Sequence, residues 1–365
     1  MQLRIITDDF TSALDGTACF AQCGWDTAVL IAAEGMNDAA IASIDTRTRE
    51  SSGAHAASTV SAAATAWSNA DVLIKQFDST LRGFIPQECL AAQMASGRRK
   101  LLIAPAFPSA GRSTESGSVY VDGVPVHLTA FAQDPTHPVT VSNLPELFRA
   151  HGVAVKVARD AADARALLGT HAAVVVDARS EEDLDELVRN FISAPDLLWA
   201  GSTGLLRSMA RVLPPPQSAL HAVDAIRAAA EIRARRPWLL VGSLNPRSRR
   251  QLGVARARHG VNALATGATY SAQQGALHDI VLQIVHLLGT GACDGLVVTG
   301  GETARRIVDA LPATSLRVCR EVEPGTPLVL VQPATSAFPM VTKAGGFGDD
   351  QALLRCLDAL TGVEQ

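Results

Sequence analysis

Short apolar runs that alternate with Ala-rich stretches of helical spacing set the tightest limit on this chain. Arg4–Thr7, Thr27–Ile31, Val72–Gln76, Lys100–Pro105, Ala154–Val157, Ala173–Asp177 and Leu197–Gly201 read as strands. Ser51–Trp67, Asp160–Leu168 and Glu181–Arg189 read as helices between them. Parallel strands need long crossovers, usually helical, whereas antiparallel strands can be joined by tight turns. The alternation therefore predicts an α/β fold with a largely parallel sheet flanked by helices.

The pattern breaks at Leu213-Pro214-Pro215-Pro216, where three prolines cannot continue a helix. A basic helical stretch, Ala222–Arg236, follows, and strands resume at Pro237–Gly242, Gly295–Thr299 and Pro327–Val331. A length of 365 residues suits two domains. The expected division is residues 1–213 and 214–365, each with a largely parallel sheet flanked by helices.

Composition narrows the function. A net charge of −4 with no basic block argues against a nucleic-acid partner. No apolar run approaches the ~20 residues of a spanning helix, and the MQLRIITDDF start lacks the form of a signal peptide. The six cysteines include no C-x-x-C and read as small buried side chains in a reducing cytosol. A cytoplasmic protein with no membrane partner is expected. Ala-rich helices with exposed faces admit a homodimer. The P-loop pattern, a G-x-G-x-x-G after the first strand, H-E-x-x-H and G-x-S-x-G are all missing.

In open α/β sheets ligands bind beyond the carboxyl ends of the strands. After the first strand come Asp8 and Asp9, with Asp15 further along. The pair can cap a helix starting near Thr11, accept hydrogen bonds from substrate hydroxyls, or supply a general base. After Val72–Gln76 comes KQFDSTLRGF, in which Asp78 and Ser79 can cap, Arg82 offers a fork of donors to a carboxylate, and Gly83 permits close approach. Arg112 follows Lys100–Pro105 as a second cation, and Asp122-Gly123 reads as a hairpin turn. Two arginines among carboxylates suit a small polyhydroxy acid. In the second half, Gly-containing turns follow the strands at Gly242–Pro246, Thr299–Thr303 and Lys343–Asp350. Such turns present backbone amides and helix N-termini to phosphates.

Taken together, ITDDFTSALD, DSTLRGFIPQE, APAFPSAGRSTESGSVYVDGVPV, the 129–138 stretch, VGSLNPRS, VVTGGETA and TKAGGFGDD resemble the four-carbon acid sugar kinases. The resemblance runs from about residue 5 to residue 350 in family order. It implies an N-terminal domain for the acid sugar, with Asp8, Asp9, Asp78, Ser79, Arg82 and Arg112 as binding residues. It also implies a C-terminal nucleotide domain using Ser243, Gly300, Gly301, Glu302, Thr303, Gly345 and Gly346. Phe10-Thr11-Ser12 replaces the family's usual Leu-Thr-Gly, and Phe84 stands where Asn is common.

The expected reaction is phosphoryl transfer from ATP, with Mg²⁺, to a hydroxyl of a tetronate or 3-oxo-tetronate. The proton acceptor is Asp9 or Asp8, or else Asp349 after the last Gly-rich turn. Domain closure would exclude water from the transfer. The metal ligands stay open. A non-catalytic sensor of sugar acid or nucleotide is the alternative, and it would need no proton acceptor. A nicotinamide-dependent oxidoreductase lacks its fingerprint.

Overall fold

The computed structural model describes residues 1–31, 39–134, 136–215, 233–258, 260–267, 270–332 and 337–362. The chain forms two compact units. The first is Met1–Gly16 with Ala39–Pro215, and the second is Thr17–Asp38 with Pro216–Gln365. Thr17–Asp38, inside the 1–213 stretch of the sequence reading, thus belongs with the second unit. The predicted basic helix Ala222–Arg236 lies mostly outside the described residues.

The strands up to the proline run are β1 (Leu3–Thr7), β2 (Thr27–Leu30), β3 (Ile41–Asp45), β4 (Val72–Gln76) and β5 (Lys100–Ala104). They continue as β6 (Arg112–Glu115), β7 (Ser118–Val121), β8 (Val124–Pro125), β9 (Lys156–Ala158), β10 (Ala173–Val176) and β11 (Leu197–Gly201). The later strands are β12 (Pro237–Val241), β13 (Asn262–Ala265), β14 (Gly295–Thr299), β15 (Ser315–Glu323), β16 (Thr326–Val331) and β17 (Phe338–Lys343).

The first unit holds an all-parallel sheet in the order β3-β1-β4-β11-β5-β10-β9. Every residue of β1, β3, β4, β10 and β11 is buried. That is the mark of a sheet covered on both faces, and it explains why these strands read as apolar runs rather than alternating ones. The chain leaves β1 for β3 on one side and then crosses to β4 on the other. The strand order therefore reverses at β1, and a crevice is expected at the carboxyl ends of β1, β3 and β4.

A separate antiparallel sheet, β6-β7-β8, sits in the same unit. Asp122 (φ 49°) and Gly123 (φ 79°) turn β7 into β8 as the Asp-Gly pair predicts.

The second unit's sheet is mixed, in the order β13-β12-β14-β17-β16-β15-β2. The first three pairings are parallel and the last three antiparallel. β2 joins here by pairing Leu30, Val29 and Ala28 with Ser315, Leu316 and Arg317, which is why its segment leaves the first unit. Its own core includes Leu239, Val241, Val297, Val341 and Leu353, all fully buried. Cys19, Cys89, Cys293, Cys319 and Cys356 are buried, Cys23 is exposed, and all six are free thiols. Among the described residues no helix is long and apolar enough to cross a membrane.

Candidate active site

At the switch point of the first sheet, β1 ends on Thr7 and delivers Asp8 and Asp9. Asp9 caps helix Phe10–Gln22: its Oδ1 accepts from the Ser12 amide at 2.6 Å and its carbonyl from the Ala13 amide at 3.1 Å. The capping role anticipated for this pair is therefore filled by Asp9. Asp8 is 1 % exposed and binds the Arg49 guanidinium through both oxygens, at 2.8 Å each. Arg49 also reaches Asp9, so one cation from the loop after β3 ties both carboxylates together. Burial works against the Arg49 charge, but Asp8, Asp9 and Asp78 outweigh it and raise its pKa further.

The loop after β4 forms the neighbouring part of the cluster. Asp78 Oδ2 accepts from Arg82 Nε at 2.6 Å and also from Thr80. Burial alone would lift the Asp78 pKa, yet Arg82 and Arg49 hold its carboxyl well below the usual carboxylate range. Arg82 Nη1 donates to Asp134 Oδ2 at 3.3 Å, and the guanidinium lies 5.5 Å from the Phe131 ring centroid. Its Nη2 has no hydrogen-bond partner among the described residues, and the side chain is 29 % exposed. Gly83 sits at φ 97°, where a Cβ would come within 3.0 Å of Asp8 Oδ2. Only glycine lets the backbone turn this close to the carboxylate. Arg47 (φ 55°) and Leu81 (φ 65°) are non-glycine residues held in the left-handed region in these same two loops. Such strain gathers where surrounding structure over-determines a functional loop.

Beneath the cluster, Lys75 of β4 and Glu88 of helix Ile85–Ser96 form a fully buried ion pair at 2.8 Å. Thr48 donates to the same carboxylate, and Lys75 Nζ donates to Gln76 O at 2.6 Å. Ser79 is half-buried beside Asp78. Arg112 is hydrogen-bonded elsewhere. It opens β6 and donates to Ala110 O within its own turn, and it makes no hydrogen bond to Asp8, Asp9, Asp78 or Arg82.

Arg49 and Asp134 were not singled out in the sequence. Arg49 follows β3, whose IASID run was not read as a strand, so Arg47 and Arg49 in DTRTRE were not seen as strand-end residues. Asp134 lies within the 129–138 stretch that carries the resemblance, where an Asp-Pro pair by itself signals only a loop.

In the second unit β12, β14 and β17 are adjacent and parallel, so their carboxyl ends lie side by side. Their turns interlock: a Cβ on Gly242 would overlap Thr303 Oγ1, and one on Gly345 would overlap Ser243 Oγ. Gly300, at φ 98°, approaches the Ser243 amide and Thr303 Oγ1. That turn lets helix Gly301–Asp309 begin at once. Ser243, Gly300, Gly301, Thr303 and Gly345 thus come together, with Gly346 next along the turn. Glu302 is exposed in a surface ion pair with Arg306 at 2.6 Å. Asp349 is also exposed and bonded to Arg355 at 2.7 Å, and that hydrogen bond lowers its pKa. A cleft of about 630 Å³ beside this turn is lined by Arg247, Arg250, Gly348, Asp349, Asp350 and Gln351.

Apart from Thr17–Asp38, the two units correspond to two recognised domains. Residues 3–209 match the sugar-binding N-terminal domain family, and residues 210–353 the nucleotide-binding C-terminal domain family. A D-threonate kinase of Bordetella bronchiseptica is 30% identical, covering 98% of this chain and 97% of its own. A D-threonate kinase of Salmonella typhimurium is also 30% identical, over 100% of this chain and 99% of its own. A solved structure from Salmonella typhimurium LT2 shares the fold with a TM-score of 0.81 at 21% identity, covering 97% of this chain and 98% of that one. A Bordetella bronchiseptica structure with bound citrate, a domain-swapped dimer, is 27% identical with a TM-score of 0.53, covering 99% and 98%. With both domains matched in order along one chain, the protein belongs to the four-carbon acid sugar kinases, ATP-dependent phosphotransferases built from a sugar-binding and a nucleotide-binding domain.

Proposed function

We propose that this kinase phosphorylates a hydroxyl of D-threonate or a close stereochemical relative. The observation that carries the site is the switch-point cluster, in which Arg49 couples Asp8 to Asp9 and Arg82 couples Asp78 to Asp134. Arg82 would take the substrate carboxylate on its unpartnered Nη2. Asp8, Asp9, Asp78 and Ser79 would accept or share hydrogen bonds with the hydroxyls. The relatives named D-threonate kinases match at 29–30% identity, and those named 3-oxo-tetronate or D-erythronate kinases at 25–27%. The Bordetella relative was solved with bound citrate, itself a hydroxylated carboxylate.

Asp9 is the proposed proton acceptor, because its side chain is 28% exposed whereas that of Asp8 is 2% exposed. Asp349, exposed and paired with Arg355, is the weaker candidate. Arg112 enters the proposal as a second cation.

The nucleotide would bind at Ser243, Gly300, Gly301, Thr303, Gly345 and Gly346, with Glu302 at the rim. The amides of Gly345, Gly346 and Gly348 have no partner among the described residues, which fits a polyphosphate. Mg²⁺ bound with ATP would offset phosphate charge during transfer. A homodimer is proposed from the Bordetella relative, and light scattering would test it.

The test is ADP release with Mg-ATP against D-threonate, L-threonate, D-erythronate and 3-oxo-tetronates. Turnover highest with D-threonate is expected. Turnover confined to a 3-oxo-tetronate would overturn the substrate assignment and leave the reaction class in place.

A further inference from the structure

The turn from Ala344 to Asp349 is gripped by its carbonyl oxygens. Lys343 Nζ donates to Ala344 O and to Phe347 O, both at 2.9 Å. Ser248 Oγ donates to Gly345 O and Arg247 Nη1 to Gly346 O, each at 2.8 Å. Gln251 Nε2 donates to Phe347 O, Gly348 O and Asp349 O at 3.0, 3.3 and 2.7 Å. Every carbonyl of the turn is therefore taken. The donors are the lysine that ends β17 and three side chains of helix Pro246–Ala257.

A trans peptide carries its C=O and the following N–H on opposite sides of one plane. Fixing Ala344 O, Gly345 O and Phe347 O inward consequently turns the amides of Gly345, Gly346 and Gly348 outward. Gln251 is fully buried and Lys343 is 2 % exposed, so neither is a casual surface contact. A buried ammonium usually finds a carboxylate; here its bonded acceptors are two carbonyls of the turn.

We propose that Gln251 and Lys343 are positioning residues for the nucleotide's polyphosphate, holding the turn's carbonyls away so that its amides face the anion. They act through the turn. The inference rests on the nucleotide reading of the second unit and adds residues to it that neither the motifs nor the relatives assign.

The arrangement also carries a pH signature. Burial pulls the Lys343 pKa down to about 8; Cys356 of helix Ala352–Thr361 and Glu323 of β15 oppose this, and Arg247 adds to it. Below that value the ammonium supplies three donors; above it the neutral amine supplies two weaker ones. The grip on the turn, and with it polyphosphate binding, weakens as pH rises through about 8.

The experiment is calorimetric titration of the full chain with ATP and, separately, with inorganic tripolyphosphate, folding being checked by circular dichroism. Gln251→Leu and Lys343→Met should each weaken both ligands by about tenfold or more, the scale of a lost charge-assisted or buried hydrogen bond, with the KM for sugar acid within about twofold. Lys343→Arg keeps donors that do not titrate, so its affinity should stay flat from pH 7.5 to 9 while that of the wild type falls. A folded Gln251→Leu protein that binds both ligands as tightly as the wild type overturns the proposal and leaves the nucleotide site standing. If that variant does not fold, a flat wild-type pH profile overturns it instead. A wild-type protein that binds neither ligand overturns both this proposal and the nucleotide reading.

Discussion

Arg49 joins two carboxylates that the sequence displayed as an unexplained pair. Its guanidinium meets Asp8 through two hydrogen bonds and Asp9 through a third, while its side chain is 15% exposed. Removing one member of a buried ion pair strands the other charge, which typically costs about 3–5 kcal/mol. Arg49→Met should therefore lower stability by roughly 3 kcal/mol and raise the sugar-acid KM by about tenfold or more. Urea unfolding and steady-state kinetics check both halves; a stable variant with an unchanged KM removes Arg49 from the site.

Asp78 gives the complementary pH test. Its pKa is depressed in the folded protein, so its contribution is present above the unfolded value near 4 and lost as pH falls through the folded value. The stability gap between wild type and Asp78→Asn should narrow progressively on acidification below about pH 4. A gap that widens would contradict the Arg82–Asp78 coupling. Asp8, Asp9, Asp78 and Arg82 were legible because each stands next to an obvious apolar run. Arg49 was hidden because Ser43 and Asp45 interrupt the apolar character of its strand, Ile41–Asp45, and a missed strand hides whatever follows it.

Elements supply the rigidity beneath these residues. β4 carries Lys75 inward, and helix Ile85–Ser96 returns Glu88 to meet it, with Thr48 from the loop after β3 on the same carboxylate. The loop after β3 and the end of β4 are thereby anchored to one buried carboxylate. Glu88→Gln should destabilise by about 3–5 kcal/mol, because it leaves the Lys75 ammonium unpaired. The double variant Lys75→Met/Glu88→Leu should recover much of that loss, since apolar pairs often replace buried ion pairs at little cost. It should still raise the sugar-acid KM, because Thr48 loses its acceptor. Urea midpoints and kinetics on the wild type and both variants decide; full kinetic recovery in the double variant would mean that the network serves stability alone.

The same scale shows where sequence reading stops. Parallel strands buried on both faces announce themselves locally as apolar runs. In the antiparallel half of the second sheet β2 and β16 also read as apolar runs, but the pairing of β2 with β15 does not, because the two are brought together from opposite ends of the chain. β15 also mixes charged residues into a ladder with register shifts, so its alternation is broken. Propensity within a window carries no information about such a pairing.

At the scale of the whole molecule, the division into two units with separate cores predicts a division of ligands. A ligand that binds only the folded state stabilises it by about 2.7 kcal/mol at a hundredfold excess over its Kd, and the gain appears in the unit that binds it. Arg82→Ala should abolish stabilisation by tetronate while leaving that by ATP intact. Gly301→Val places a β-branched side chain at the first residue of helix Gly301–Asp309, beside the interlocked turns, and should do the reverse. Scanning calorimetry with each ligand on each variant yields four shifts, and the two crossed ones should match the wild type. If either variant loses both shifts while remaining folded, the units do not bind their ligands independently, and assigning sugar acid to one and nucleotide to the other would have to give way to a shared site.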